Sequence, residues 1–338
     1  MRQIWIPRVG GPEVLEVRET IDPTPKPGEV RIRVEASGIN FADIMARMGM
    51  YQDAPPVPSV VGYEVAGKID RVGDAVEGFA VGDRVASFTR FGGYSDVVVA
   101  SVDRIFPLPP EIDTKTAAGI PVNFLTAWLM LVRFAGVKEN DTVLVQNAGG
   151  GVGLAALQIS RAFGANVIGT ASPGKHERLR EMGAAHCIDY RSLDFETAVK
   201  DYTNGRGVDV VIDPVGGKSF KKSFRCLAPL GRLAMFGVSS FAPGKTRNLL
   251  AVLKGFIELP RFSPVALMND NRAVGGFNMG HLWDETDILT QAMEKIMALV
   301  AKGEMAPVID KTFPFDQAGA AHAYIQDRKN FGKVLLTP

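Results

Sequence analysis

The sequence predicts an α/β protein of two domains, a β-rich first domain of antiparallel strands and a doubly wound parallel-sheet domain after it. Three observations carry this. At 338 residues the chain exceeds what a single hydrophobic core usually organises. Between residues 29 and 99, short β-branched runs such as Val30-Arg31-Ile32-Arg33-Val34, Val65-Ala66-Gly67-Lys68-Ile69 and Tyr94-Ser95-Asp96-Val97-Val98-Val99 are separated by Gly-Asp and Gly-Gly pairs. That is the alternation and turn chemistry of antiparallel strands. From about residue 142 strands alternate with helices instead, the pattern of a parallel sheet covered on both faces.

Taken in order, Pro107, Pro109 and Pro110 close the β region, and residues 117–134 read as one buried helix. Pro121, Asn123 and Arg133 interrupt residues 117–137 before they reach the roughly twenty apolar residues of a membrane span. The alternating series then runs as strand 142–146, a helix from Val152, strand 166–170, a helix from Pro173, strand 185–189, a helix near Leu193 and strand 208–213. Near Ala242 it gives way to a long loop and an apolar helix, 249–259, read as core or pocket wall. A strand at 273–277 and an amphipathic helix at 287–301 follow. Residues 307–313 and 333–336 bracket a last helix that Asp316 is placed to cap, so the tail is expected to return to the first domain. The expected boundaries are 1–122 with 268–338 for the first domain and 123–267 for the second.

With 38 Lys and Arg against 37 Asp and Glu, the net charge is +1, and no pull toward nucleic acid or anionic membrane follows from it. Two cysteines build no disulfide framework, and Met1-Arg2-Gln3-Ile4 opens no basic-then-apolar signal segment. A reducing, cytoplasmic setting is therefore expected. Cys187 reads as a small buried hydrophobe in the third parallel strand, and His176, His186, His281 and His322 share no ligand spacing.

The strand at 142–146 runs straight into Asn147-Ala148-Gly149-Gly150-Gly151-Val152-Gly153 and a helix. Ala148, Gly150 and Gly153 occupy the three positions of a dinucleotide-binding turn: a tight bend, a bare backbone that admits a pyrophosphate, and a close helix-to-strand contact. The amides that follow, from Gly151, Val152 and Gly153, offer unpaired N–H groups and a positive dipole end. At the end of the second strand, Gly169-Thr170-Ala171-Ser172, no acidic residue is present to accept from an adenosine ribose. Ser172, Lys175, Tyr190 and Arg191 are there instead, groups suited to a 2′-phosphate. NADPH is the cofactor this predicts; the alternative for either basic residue alone is solvated surface charge.

A β domain, this loop and a returning tail together resemble the medium-chain dehydrogenase/reductase superfamily over nearly the whole chain. The fold implied is a GroES-like catalytic domain with a Rossmann cofactor domain. Where the zinc alcohol dehydrogenase branch carries Gly-x-Cys-x-x-Asp and Gly-His-Glu, this chain reads Gly38-Ile39-Asn40-Phe41-Ala42-Asp43 and Gly62-Tyr63-Glu64, and the later Cys position falls near Val122. Tyr and Val do not ligate zinc and Asn does so poorly, so no catalytic metal is expected. No Cys precedes Cys187, so the structural-zinc lobe is missing too, and Ala42 replaces the relay hydroxyl. The remaining motifs, Asn40 to Asp43, Met48-Gly49-Met50-Tyr51 and Pro121 to Ala127, are similar to the zinc-independent quinone oxidoreductase, or zeta-crystallin-like, branch. Lys245-Thr246-Arg247-Asn248 and Asn271 to Phe277 are similar to its vesicle-amine-transport-protein-like subgroup.

Without a Lewis acid, hydride transfer needs an acceptor that is already electron-poor, a quinone or an α,β-unsaturated carbonyl. Asn40, Tyr51 and Tyr63 are the candidate donors to its oxygen; the competing reading makes both tyrosines half-buried β-domain residues bonded to carbonyls. The resemblance implies that Asn123 and Thr126 approach the nicotinamide ribose or amide, that Phe236-Gly237 and Gly276-Phe277 bring backbone to the ring, and that Asn330 and Lys333 close over the phosphates. It implies a homodimer as well. Against a quinone reductase stand an enone or enoyl reductase and an NADPH-binding interaction protein with little turnover. For residues 249–259, a flap over the acceptor or a peripheral membrane contact beside Lys221, Lys222, Arg225 and Lys254 are the sharper alternatives.

Overall fold

In the computed structural model, which describes residues 1–338, period-two alternation builds the first strands. β1 (Arg2–Trp5) pairs antiparallel with β2 (Glu16–Glu19). β3 (Glu29–Gly38) is the long central strand, with Val30, Ile32 and Val34 buried and Arg33 exposed. It runs into the short helix α1 (Phe41–Arg47), and β4 (Glu64–Val72), β5 (Arg84–Phe88), β6 (Val97–Ser101) and β7 (Ile105–Pro107) follow. β4 and β6 both pair antiparallel with β3. Asp113 caps α2 (Thr114–Ala117) through the Thr116 amide.

The stretch read as one helix is broken here. Pro121 opens a new helix, α3 (Pro121–Trp128), and Leu129–Phe134 continues it as a wider π-helical stretch. A proline has no N–H to give the preceding turn but fits a first helical turn, so the apolar run is read correctly and its continuity is not. The chain passes from the first unit to the second between Leu125 and Thr126.

The sheet of the second unit begins with β8 (Thr142–Val145) and α4 (Gly151–Ala162), then β9 (Asn166–Ala171), α5 (His176–Glu181), β10 (His186–Asp189), α6 (Phe195–Tyr202), β11 (Val208–Asp213), α7 (Lys218–Arg225) and β12 (Leu227–Met235). After α8 (Leu249–Ile257) and α9 (Pro264–Asp270), β13 (Ala273–Gly276) completes a six-stranded parallel sheet. Its order is β10-β9-β8-β11-β12-β13. The chain starts in the middle, winds one way and then the other, as doubly wound dinucleotide-binding sheets do. Leu144, Ile168, Ile188, Val208, Val211 and Leu233 fill its core.

α10 (Thr286–Ala301), β14 (Ile309–Pro314), α11 (Ala318–Gln326) and β15 (Lys333–Thr337) return the tail to the first unit, where β15 pairs antiparallel with β3. Three expectations change. The second crossing between units falls after Asn278, not after residue 267, because β13 is hydrogen-bonded to β12; Gly244–Arg247 also lies with the first unit. Asp316 does not cap α11 but pairs with Arg2 at 2.8 Å. The apolar helix α8 is not core: only Gly255 is buried, against the Phe241 ring, while Leu249, Leu250, Leu253, Phe256 and Ile257 are exposed. Apolar spacing marks a face, and it does not say whether the chain itself covers that face. No helix is long and apolar enough to cross a membrane.

Candidate functional site

In the second unit the candidate dinucleotide turn sits where the winding reverses, between β8 and its two neighbours β9 and β11, the kind of crevice in which such sheets bind ligands. The turn is held from below. Asn147, with φ of +55°, donates its N–H to the Thr170 hydroxyl oxygen at 3.1 Å, and the Ala148 N–H donates to the Thr170 carbonyl at 3.0 Å. The Thr170 hydroxyl in turn donates to Gln146 at 2.7 Å. At the end of β11, Asp213 accepts from the Ser219 and Ser223 hydroxyls at 2.6 and 2.7 Å and from the Val215 amide at 2.7 Å. Burial raises the Asp213 pKa against those hydrogen bonds.

Gly150 is the N-cap of α4, and the first intrahelical bond runs from Leu154 to its carbonyl at 2.9 Å. The Gly151, Val152 and Gly153 amides are therefore left pointing out of the helix end. A Cβ on Gly153 would lie 2.5 Å from the Asn147 carbonyl oxygen and 2.7 Å from that of Ala148. Backbone occupies the space a side chain would need, and this close approach fits a pyrophosphate cradle.

β9 and β10 are parallel neighbours with Ala171 opposite Asp189. The residues just past these two strand ends, Ser172 and Lys175 on one and Tyr190 and Arg191 on the other, thus share the carboxyl edge of the sheet. Arg191 is exposed, Lys175 and Tyr190 half-buried. The acidic residue in this neighbourhood, Asp189, belongs to the second of the two strands and accepts from the Arg191 N–H and the Ser192 hydroxyl. Phe236 and Gly237 follow β12, Gly276 ends β13, and the Phe277 N–H donates to the Met235 carbonyl at 2.8 Å while its ring meets Phe134 edge-on. Thr126 is buried in α3.

In the first unit, Asn40 precedes α1. Its backbone N–H donates to the Asp43 carboxylate at 2.7 Å, while its side chain turns to two charged partners. Lys333 donates to Asn40 Oδ1 at 2.8 Å, and Asn40 Nδ2 donates to Glu64 Oε1 at 3.0 Å. Lys333 also pairs directly with Glu64, whose other oxygen accepts the Val122 N–H at 2.7 Å. Asp43 accepts a second amide, from Gly62 at 3.0 Å. Full burial, opposed by those amides and by Lys333, pushes its pKa up to about 7. Beyond it, Tyr94 and His322 are 3.0 Å apart, and burial with the Arg47 charge holds His322 far below the usual histidine range.

Tyr63 is buried in an aromatic box. Trp283 stacks on it, Tyr51 meets it edge-on with centroids 6.2 Å apart, and Phe91 tilts against it at 5.2 Å. Its hydroxyl is buried without a well-formed hydrogen bond. Burial first, then the Asp43 charge, raises its pKa far above the phenol range. The reading in which Tyr63 bonds to a backbone carbonyl therefore fails. Lys333, expected over the phosphates, is instead committed to Glu64 and Asn40, while Asn330 donates to the Gly332 carbonyl at 2.9 Å. Asn123 is buried, with Nδ2 3.5 Å from the Gly119 carbonyl. Sequence reasoning missed Glu64 and the Thr170–Gln146 support, because each depends on a partner brought in by the fold. No cluster of three His, Cys, Asp or Glu side chains could hold a metal ion.

Residues 26–110 match the alcohol dehydrogenase GroES-like domain and residues 182–336 the zinc-binding dehydrogenase family. The chain is 39% identical to the synaptic vesicle membrane protein VAT-1 homolog of Danio rerio over 93% of its own length and 65% of that protein's. It is 34% identical to a quinone oxidoreductase of Pseudomonas aeruginosa, covering all of this chain and 99% of that one. The crystal structure of Escherichia coli quinone oxidoreductase complexed with NADPH superposes with a TM-score of 0.87 at 30% identity, covering 100% of both chains. The CurK enoyl reductase superposes with 0.86 at 28% identity, covering 99% of this chain and 98% of that one. On this combination of folds, motifs and relatives, the chain belongs to the medium-chain dehydrogenase/reductase superfamily, in its quinone oxidoreductase-like, VAT-1-like branch.

Proposed function

We propose that the protein is an NADPH-dependent reductase of conjugated acceptors, a quinone reductase that works without a metal. The observation that carries the reading is Asn40: an amide held between Lys333 and Glu64 stands where the zinc branch has a thiolate, in a chain that also has a dinucleotide cradle. NADPH, when bound, supplies the hydride. The chain's own groups do the rest. The Gly151, Val152 and Gly153 amides take the pyrophosphate, and Ser172, Lys175, Tyr190 and Arg191 take the 2′-phosphate. Thr126 and the backbone at Phe236, Gly237, Gly276 and Phe277 steady the nicotinamide end. Asn40 and Tyr51 donate to the acceptor oxygen as it gains charge. Tyr63 holds its proton too firmly to serve as an acid and acts as a neutral donor.

The enoyl reductase neighbour favours a second acceptor, an α,β-unsaturated carbonyl, which needs the same hydride and the same oxygen-facing donors. The open edge of β13, where Ala273 and Gly276 are exposed, supports pairing with a second copy as the homodimer that the resemblance implies.

Two substitutions test the assignments. Asn40→Ala is expected to lower turnover by about a hundredfold, the usual loss for one preorganised donor, with NADPH affinity within about twofold of the parent; unchanged turnover removes Asn40 from the mechanism. Lys175→Ala is expected to weaken NADPH by about tenfold, as loss of one charge-assisted bond does, and to leave NADH nearly unchanged in a fluorescence titration. Equal losses for both cofactors would make the lysine ordinary surface charge.

A further inference from the structure

The pairing of Lys333 with Glu64 is in the wrong place for stability alone. Glu64 is 0% and Lys333 3% exposed, and a buried ion pair recovers little more than the cost of desolvating its two charges. Its geometry is directed at a third residue. Extending the β15–β3 register from Leu335 opposite Gly38 brings Lys333 opposite Asn40. One residue beyond the Ser37–Val65 pair, Gly38 lies opposite Glu64. Gly38 is thus flanked by both strands, and a Cβ on it would come within 2.6 Å of Glu64 Oε1, Lys333 Cε and the Ala118 carbonyl. A glycine here leaves the space through which lysine and glutamate meet.

Asn40 completes the arrangement. An asparagine at a helix N-cap ordinarily spends its side chain on the first-turn amides. Here the amide keeps the capping-box arrangement with Asp43, whose carboxylate takes the Asn40 N–H, but makes its hydrogen bonds to Lys333 and Glu64. An ammonium only donates and an ionised carboxylate only accepts, so Oδ1 must face Lys333 and Nδ2 must face Glu64. A flipped amide would lose both bonds and set its N–H groups against the ammonium and its oxygen against the carboxylate. The second Nδ2–H has only the Gly38 carbonyl, at 3.5 Å, too far for a good hydrogen bond.

We propose that Lys333 and Glu64 are positioning residues that lock the Asn40 amide in one orientation and leave its second N–H for the acceptor oxygen. This rests on the functional reading above, and the test separates the two. Lys333→Met, Asn40→Ala and their combination are compared for turnover of a conjugated acceptor and for NADPH affinity. Lys333→Met is expected to lower kcat by about tenfold or more, as loss of orientation does, with NADPH affinity retained, and to have almost no further effect once Asn40→Ala is present. Equal loss in both backgrounds would overturn the proposal, since the lysine would then act independently of Asn40.

A second readout needs no turnover. The side-chain amide resonances of Asn40, identified by their disappearance in Asn40→Ala, should shift and lose their protection from exchange in Lys333→Met. Unchanged resonances overturn the proposal. Resonances that shift in a protein reducing no conjugated acceptor would uphold the positioning role and overturn the functional reading instead. If Lys333→Met does not fold, the double substitution Glu64→Gln with Lys333→Met leaves no unpaired buried charge and carries the same comparison.

Discussion

Replacing Gly153 by valine is expected to weaken NADPH binding by at least about a hundredfold, the equivalent of two charge-assisted hydrogen bonds. The new Cβ would sit 2.5 Å from the Asn147 oxygen, 2.7 Å from the Ala148 oxygen and 2.8 Å from the Ala148 carbonyl carbon. All three atoms are backbone, so no side-chain rotation relieves the overlap. Either the turn at residues 147–150 moves or α4 tilts away from β8, and the amides at the head of α4 lose their aim in both cases. Calorimetric titration with NADPH reads the effect. Binding within about threefold of the parent would mean that the cofactor phosphates do not rest on this turn.

Asp43→Ala is expected to destabilise the protein by about 3–6 kcal/mol, because buried amides left unsatisfied cost roughly 1–3 kcal/mol each and the Tyr94 hydroxyl loses a partner too. The carboxylate accepts both the Asn40 and Gly62 amides, tying the start of α1 to the segment before β4, and it interacts with Tyr94. Urea unfolding measures the loss. The pH dependence has a definite sign. Burial raises the folded pKa to about 7 from the 3.8 of a free carboxyl, so the folded chain binds this proton where the unfolded chain does not. The stabilisation is complete below pH 3.8 and is lost as pH rises through about 7. The penalty for Asp43→Asn, which cannot ionise, should therefore be larger at pH 5 than at pH 8. A penalty that grows with pH would show that the carboxylate is stabilised in the fold, contrary to its burial.

Much of the second unit was legible along the chain because its determinants are local. Strand, glycine turn and helix from Thr142 to Gly153 are contiguous, and the missing acidic residue after β9 is a single-position observation. In the first unit the types of the groups were legible but not their use. Asn40 and Tyr63 stood out as replacements for metal ligands, yet the partners of Asn40 come from residues 64 and 333, which only β-sheet register brings together. Lys333 illustrates the limit: the family resemblance implies a place over the cofactor phosphates for it, whereas the fold buries it against Glu64. The apolar spacing of α8 likewise fixed a helix face without fixing its surroundings.

The most direct test of the account is NADPH oxidation by the purified protein, with a chelator present, against one ortho-quinone and one simple enone. Steady oxidation of NADPH by either acceptor, undiminished by the chelator, is the predicted result, and the preferred acceptor chooses between the quinone and enone readings. NADPH bound tightly but oxidised by neither acceptor would contradict the account and leave a cofactor-binding interaction protein.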